Sequence, residues 1–122
     1  MEQRVTPMIH VPDVQATIEW YKLLDFTVIG TNEDDGEINW AKLSFGGSSV
    51  MFMSGGQYVT HDRREVDLYI LTDRVDELYE HLSSRVEIRQ GLQNTFYGMR
   101  EFIIRDNNGF WITFGQNIER RR

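Results

Sequence analysis

At 122 residues, 40% hydrophobic and 26% charged, the chain has the size and composition of one soluble globular domain and needs no covalent staple. It contains no cysteine, which excludes a disulfide framework, a thiolate metal site and a thiol nucleophile. The formal net charge is −6 (13 basic against 19 acidic residues), and −9 (10 minus 19) without Arg120-Arg121-Arg122, so the body repels a phosphate backbone and nucleic-acid binding is not expected.

No stretch approaches the run of about 18 apolar residues that spans a bilayer, and no membrane partner is expected. Met1-Glu2-Gln3-Arg4 lacks the apolar stretch of a secretory signal, so a cytoplasmic location is the default expectation. The terminal arginine triplet reads as a solvated end. Charge is uneven: residues 1–60 carry 3 basic and 8 acidic side chains, residues 61–122 carry 10 and 11. An acidic first half would favour a cationic ligand.

Val5 to Val11 is β-rich and reads as the first strand. Asp13 is placed to cap a helix whose buried stripe is Val14, Ile18, Tyr21 and Leu23 or Leu24, ending near Asp25. Phe26 to Ile29 reads as a strand broken by Gly30, and Glu33-Asp34-Asp35-Gly36-Glu37 as an exposed hairpin turn. Ile38 to Phe45 alternates as a strand, and Gly46-Gly47 turns it into Ser49 to Met53. Residues 54–65 read as a connection. The pattern then repeats: Val66 to Leu71 as a strand, Asp73 to Leu82 as a helix, and strands at Val86–Arg89, Arg100–Arg105 and Phe110–Gly115. Asp106-Asn107-Asn108-Gly109 is a turn signal, and residues 90–99 read as an aromatic, glycine-containing loop suited to a lid or pocket rim.

The repetition is visible in the residues themselves. His10-Val11-Pro12-Asp13-Val14 leads into Gln15-Ala16-Thr17-Ile18-Glu19-Trp20-Tyr21, and Ile70-Leu71-Thr72-Asp73-Arg74-Val75 leads into Asp76-Glu77-Leu78-Tyr79. A duplicated unit of this length is the sign of a pseudo-symmetric fold.

This order, with Trp20-Tyr21 late in the first helix, Asp25-Phe26 after it, and the closing run from Tyr97-Gly98-Met99-Arg100 through Asp106-Asn107-Asn108-Gly109 to Phe114, resembles the vicinal-oxygen-chelate superfamily. That group comprises glyoxalase I, extradiol dioxygenases, and fosfomycin- and bleomycin-resistance proteins. The resemblance implies an α+β fold: a single domain over residues 1–122 made of two tandem βαβββ modules, about 1–54 and about 65–118, forming a curved mixed sheet around a cavity. It also implies a homodimer.

Enzymes of this superfamily hold a divalent metal with His, Glu or Gln at equivalent points of the two modules. By that comparison the points here are Thr6, Met53, Val66 and Thr113, none a competent anchor for a hard or borderline ion. The resemblance therefore points to the metal-free bleomycin-resistance type, which sequesters a ligand without transforming it, and the opening Thr6-Pro7-Met8 and the Trp40-containing strand look like that branch. No metal, no cofactor and no catalytic residues are expected. The partner expected is a small aromatic or cationic organic molecule.

Alternation puts Thr6, Met8 and His10 on one face of the first strand, and Trp111 and Thr113 on one face of the last. Trp40, Tyr97, Trp111, Thr113, His10 and Met53 are the candidate ligand-binding residues. Aromatic rings supply flat apolar area and attract cations. Glu101 and Arg105 share a parity that Arg100 does not, and parity alone does not say which set faces the ligand. The competing reading is a small metal-dependent lyase or dioxygenase-like enzyme with non-standard ligands drawn from His10, His61 and Glu101.

Overall fold

Strand, helix and three strands follow one another twice along the chain. The computed structural model describes residues 3–58 and 62–119 and divides into two compact units, Met1–Tyr58 and Val59–Arg122. The first contains β1 (Met8–His10), α1 (Val14–Lys22), β2 (Thr27–Asp34), β3 (Glu37–Phe45) and β4 (Ser48–Met53). The second contains β5 (Leu68–Leu71), α2 (Val75–Leu82), β6 (Glu87–Asn94), β7 (Met99–Arg105) and β8 (Trp111–Asn117). Their sheets have the same topology, β1-β4-β3-β2 and β5-β8-β7-β6, with the first pair of each parallel and the others antiparallel. The tandem βαβββ, α+β architecture is thus present. His61 and Arg120 to Arg122 lie outside the described residues.

In the first unit, Asp13 has extended backbone (φ −142°, ψ 101°) and accepts a 3.0 Å hydrogen bond from the Ala16 N–H, the geometry of an N-cap. Asp25, at φ +67°, ends the helical run and lets the Phe26 N–H reach the Tyr21 carbonyl at 3.2 Å. Tyr21, fully buried, then meets Phe26 and Phe52 at centroid distances of 5.2 and 4.9 Å. Val14, Ile18, Ala41, Leu43, Val50 and Phe52 complete this core. Helix α1 thereby covers one face of the β3–β4 pair.

Helix α2 starts differently. Asp73 does not cap it: the N-cap is Arg74, with no side-chain cap bond, and α2 begins at Val75. Thr72 Oγ1 accepts from the Arg74 N–H at 3.1 Å, and Gln116 Oε1, from β8, accepts from the Val75 N–H at 2.9 Å. A long-range acceptor does here what a neighbouring aspartate does in α1. Below α2, Tyr79 meets Phe102 edge-on at 5.2 Å, and Phe102 stacks on Phe114 at 5.0 Å.

Three strands depart most from the sequence expectation. β1 spans three residues instead of Val5–Val11, with Pro7, which has no N–H to donate, standing just before it. β2 runs through Gly30 and the acidic residues, absorbing irregularities between Val28 and Gly30 and between Asn32 and Glu33. β6 extends to Asn94, pairing Gln90 with Ile103, Gln93 with Glu101 and Asn94 with Arg100. The expected loop over 90–99 is therefore only residues 95–98, closed by Thr95 N–H to the Met99 carbonyl at 2.7 Å and by Gly98 at φ +84°.

The Asp106–Gly109 turn is built around a buried carboxyl group. Asp106 is 2% exposed, and its Oδ1 accepts from the Asn108 and Phe110 N–H groups, both at 2.8 Å. Replacing it with alanine strands both donors, at roughly 1–3 kcal/mol for each that stays buried. Chemical denaturation of Asp106→Ala is expected to show a stability loss of about 2 kcal/mol or more, seen as a lower midpoint at unchanged slope, with Asp106→Asn losing less because its amide oxygen still accepts.

Candidate functional site

Alternation along each strand leaves one sheet face for the helix and turns the other away from it. In the first unit the face away from α1 carries Met8 and His10 from β1, Met51 and Met53 from β4, and Trp40 and Lys42 from β3. Met8 pairs with Met51, and His10 with Met53, which in turn pairs with Trp40. His10 Nδ1 lies 3.1 Å from the Ser54 carbonyl oxygen. A carbonyl only accepts, so Nδ1 carries the hydrogen of this bond. The Trp40 ring crosses Gly30: a Cβ at residue 30 would stand 3.3 Å from Cη2 and Cζ3. Three of the expected residues, His10, Trp40 and Met53, thus share one face.

The second unit holds a more tightly built cluster. Glu101 and Arg105 lie on the face away from α2, with Tyr69, Trp111 and Thr113. Arg100 is on the other side, where its Nε meets Asp76 of α2 at 3.0 Å. Parity is thereby resolved by the helix. Glu101 is 4% exposed, and each of its oxygens accepts a phenol: Tyr69 donates to Oε2 at 2.6 Å and Tyr97 to Oε1 at 2.9 Å. Tyr69 reaches this carboxyl group by crossing Gly115, where an added Cβ would stand 2.1 Å from the Tyr69 hydroxyl. Half of Tyr69 is exposed, but its hydroxyl end lies against the Gly115 backbone and Glu101. Burial of that end, then the Glu101 hydrogen bond and charge, pushes the Tyr69 phenol well above the usual range. The Glu101 bond also leads the upward shift of Tyr97, followed by desolvation, with Thr95 opposing.

Trp111 is enclosed by the protein's own cations. Arg63 lies 4.1 Å and Arg89 5.2 Å from its ring centroid, and its Nε1–H donates to the Asp62 carbonyl at 3.2 Å. Arg105 Nε donates to the same carbonyl at 2.8 Å, and Arg89 pairs with the Asp62 carboxyl group at 2.7 Å. Thr113 is 8% exposed and lies opposite Tyr69. Tyr97 is joined to this face through Glu101. Tyr69 and Gly115 went unnoticed in the sequence, although a glycine inside a strand is itself a signal that something approaches the backbone closely.

The donor set does not fit a divalent ion. Val11 N–H bonds the Met53 carbonyl, as Thr72 N–H bonds that of Gly115, so the internal equivalent of Thr113 is Met51, not Met53. Thr6, Val66 and Asp67 precede β1 and β5, with Asp67 paired to Arg63; on the strands, Met8 pairs with Met51 and Tyr69 with Thr113. On each face taken by itself, the thioethers of Met8 and Met51 in the first unit, and the Thr113 hydroxyl with the protonated Tyr69 phenol in the second, are poor partners for hard or borderline cations. Among the described residues, no three His, Cys, Asp or Glu side chains gather as a metal-holding group.

Raised phenol pKa values carry a pH signature. From the ordinary tyrosine value of 10.0 upward, the folded chain holds more protons than the unfolded one, so this contribution is complete below that pH and is lost as pH rises. An ultraviolet tyrosinate titration is expected to show a late-ionising fraction that Tyr69→Phe reduces. Gly115→Ala should displace Tyr69, remove the same fraction, and cost about 1–3 kcal/mol by overpacking.

Residues 4–114 match the family model described as the glyoxalase/bleomycin resistance protein/dioxygenase superfamily. No curated protein matches the chain. Among solved structures, TioX from Micromonospora sp. ML1 is similar at 21% identity, with a TM-score of 0.76, covering 95% of this chain and 99% of that one. A glyoxylase/bleomycin resistance protein/dioxygenase domain from Frankia sp. EAN1pec gives 17% identity and a TM-score of 0.77, covering 99% and 96%. A glyoxalase/bleomycin resistance protein/dioxygenase from Nocardioides gives 13% and 0.72, covering 100% and 89%. These likenesses concern the fold, whereas the family match spans almost the whole sequence: the chain belongs to the glyoxalase/bleomycin resistance protein/dioxygenase superfamily.

Proposed function

We propose that this protein is a metal-free binder of a small aromatic or cationic organic molecule, of the sequestering kind found in the bleomycin-resistance branch, and that it works as a cytoplasmic homodimer. The observation that carries this reading is the side-chain chemistry on the sheet face that each unit turns away from its helix. In the first unit that face carries the thioethers of Met8, Met51 and Met53 beside Trp40; in the second it carries Thr113, Tyr69 and a carboxyl group whose two oxygens accept the phenol hydrogens of Tyr69 and Tyr97. Such a surface offers apolar area, polarisable sulfur and ring faces, which hold a ligand by contact. It supplies no Lewis acid of its own, and Glu101 is committed to Tyr69 and Tyr97.

The test uses the three tryptophans as reporters. Titration with a panel of planar cationic and neutral aromatic compounds is expected to give saturable quenching that survives a chelator and weakens in Trp40→Phe. Elemental analysis is expected to find no stoichiometric metal, and sedimentation to find a dimer. Stoichiometric Ni, Zn, Mn or Fe, with a metal-dependent thermal shift lost in His10→Ala, would overturn the metal-free reading. Absence of quenching by every compound in the panel would overturn the ligand class.

A further inference from the structure

A carboxyl group withdrawn from water is costly unless something compensates its charge. Glu101 is 4% exposed, and it accepts at both oxygens, as an ionised carboxylate does. Its two partners, however, are neutral phenols. Arg63 is paired with Asp67, Arg89 with Asp62 and Glu87, Arg100 with Asp76, and Arg105 with Glu87. Among the described residues no cation pairs with Glu101.

The two rings that shield it are themselves in reach of solvent. Tyr69 is 50% and Tyr97 53% exposed, and Phe96, 99% exposed, meets the Tyr97 ring edge-on at 5.1 Å. A phenol that donates its hydrogen to a carboxylate gains electron density, which strengthens the negative potential on its ring face. The charge of Glu101 adds to that potential from behind. An arriving cation therefore meets a favourable field spread over aromatic carbon, with the carboxylate oxygens occupied and shielded.

We propose that Tyr69, Tyr97 and Glu101 form a recognition site for an alkylated ammonium group, with the rings in contact with the cation and Glu101 acting through them. This rests on the binder reading above and narrows its ligand class. The preference follows from the geometry. A primary ammonium or guanidinium ion loses hydration on entering and needs acceptors in return, whereas a trimethylammonium group is weakly hydrated, donates no N–H bonds and is suited to ring faces. Gly115 belongs to the site because only a residue without Cβ lets Tyr69 reach Glu101.

The probes are choline, its uncharged isostere 3,3-dimethylbutan-1-ol, and ethanolamine, each titrated against the intact protein by NMR. Choline is expected to bind roughly tenfold more tightly than either of the others. Glu101→Gln and Tyr97→Phe, both checked for native circular dichroism, are expected to weaken choline several-fold and leave 3,3-dimethylbutan-1-ol unchanged. Tyr97→Phe leaves Glu101 in place and serves if the glutamine variant misfolds. Equal binding of choline and the alcohol would overturn the charge argument, and tighter binding of ethanolamine would overturn the ring-face argument. Should all three probes fail while the aromatic panel still quenches tryptophan, this site is refuted and the binder reading survives. Failure of both the probes and the panel refutes both.

Discussion

A four-stranded sheet with one helix can have only one of its faces covered by that helix. Everything distinctive in this protein follows from what the other face carries. Helix α1 takes Ala41, Leu43, Val50 and Phe52, and α2 takes Phe102, Ile104, Ile112 and Phe114. Because side chains alternate strictly along a strand, fixing those residues against the helices fixes Trp40, Met51 and Met53 on the opposite face of one sheet, and Glu101, Trp111 and Thr113 on that of the other. The core and the candidate site are thus set by one choice of register, and a slip of one residue would exchange them.

The opposite faces are stabilised by different means. In the first unit, thioethers, an imidazole and an indole occupy it, and Gly30 gives Trp40 room. In the second, polar groups predominate and each is satisfied: the Asp62 carbonyl accepts from both Trp111 and Arg105, and the Glu101 carboxyl group accepts two phenols. No described buried side-chain nitrogen or oxygen lacks a hydrogen-bond partner, as expected of a native polar network. Trp111, a candidate ligand-binding ring in the sequence, has two guanidinium groups over it, at 4.1 and 5.2 Å from its centroid. Its neighbours in space come from Arg63 and Arg89, far from it in sequence, and no local pattern announces them.

Much of the architecture was legible because the two units repeat both their order and their punctuation. Asp13 and the Asp106–Gly109 turn carry local chemistry that acts within four residues, so sequence sufficed for them. Asp73 looked equivalent to Asp13, but the capping of α2 depends on Gln116 from the far end of the unit. The polar stretch Gln90–Asn94 gave no apolar alternation, and only its ladder with β7 shows that it is a strand. The correspondence between the two units is likewise not a local property. Thr6 and Val66 fall before the strands begin, and the register that equates Met51 with Thr113 is a property of pairing. Parity separated Glu101 from Arg100, but the choice of face needed Asp76 on α2.

Gly115 contributes no functional group, yet the reach of Tyr69 to Glu101 passes over its α-carbon. This links three strands, β5, β7 and β8, through the absence of a single methyl group. A lineage that replaced Gly115 would have to surrender the tyrosine at residue 69 or reposition its ring, and the carboxyl group at residue 101 would then lose one of its two donors. Glycine, tyrosine and glutamate at these three places are therefore expected to be inherited and lost together, as a covarying trio within an otherwise permissive superfamily scaffold.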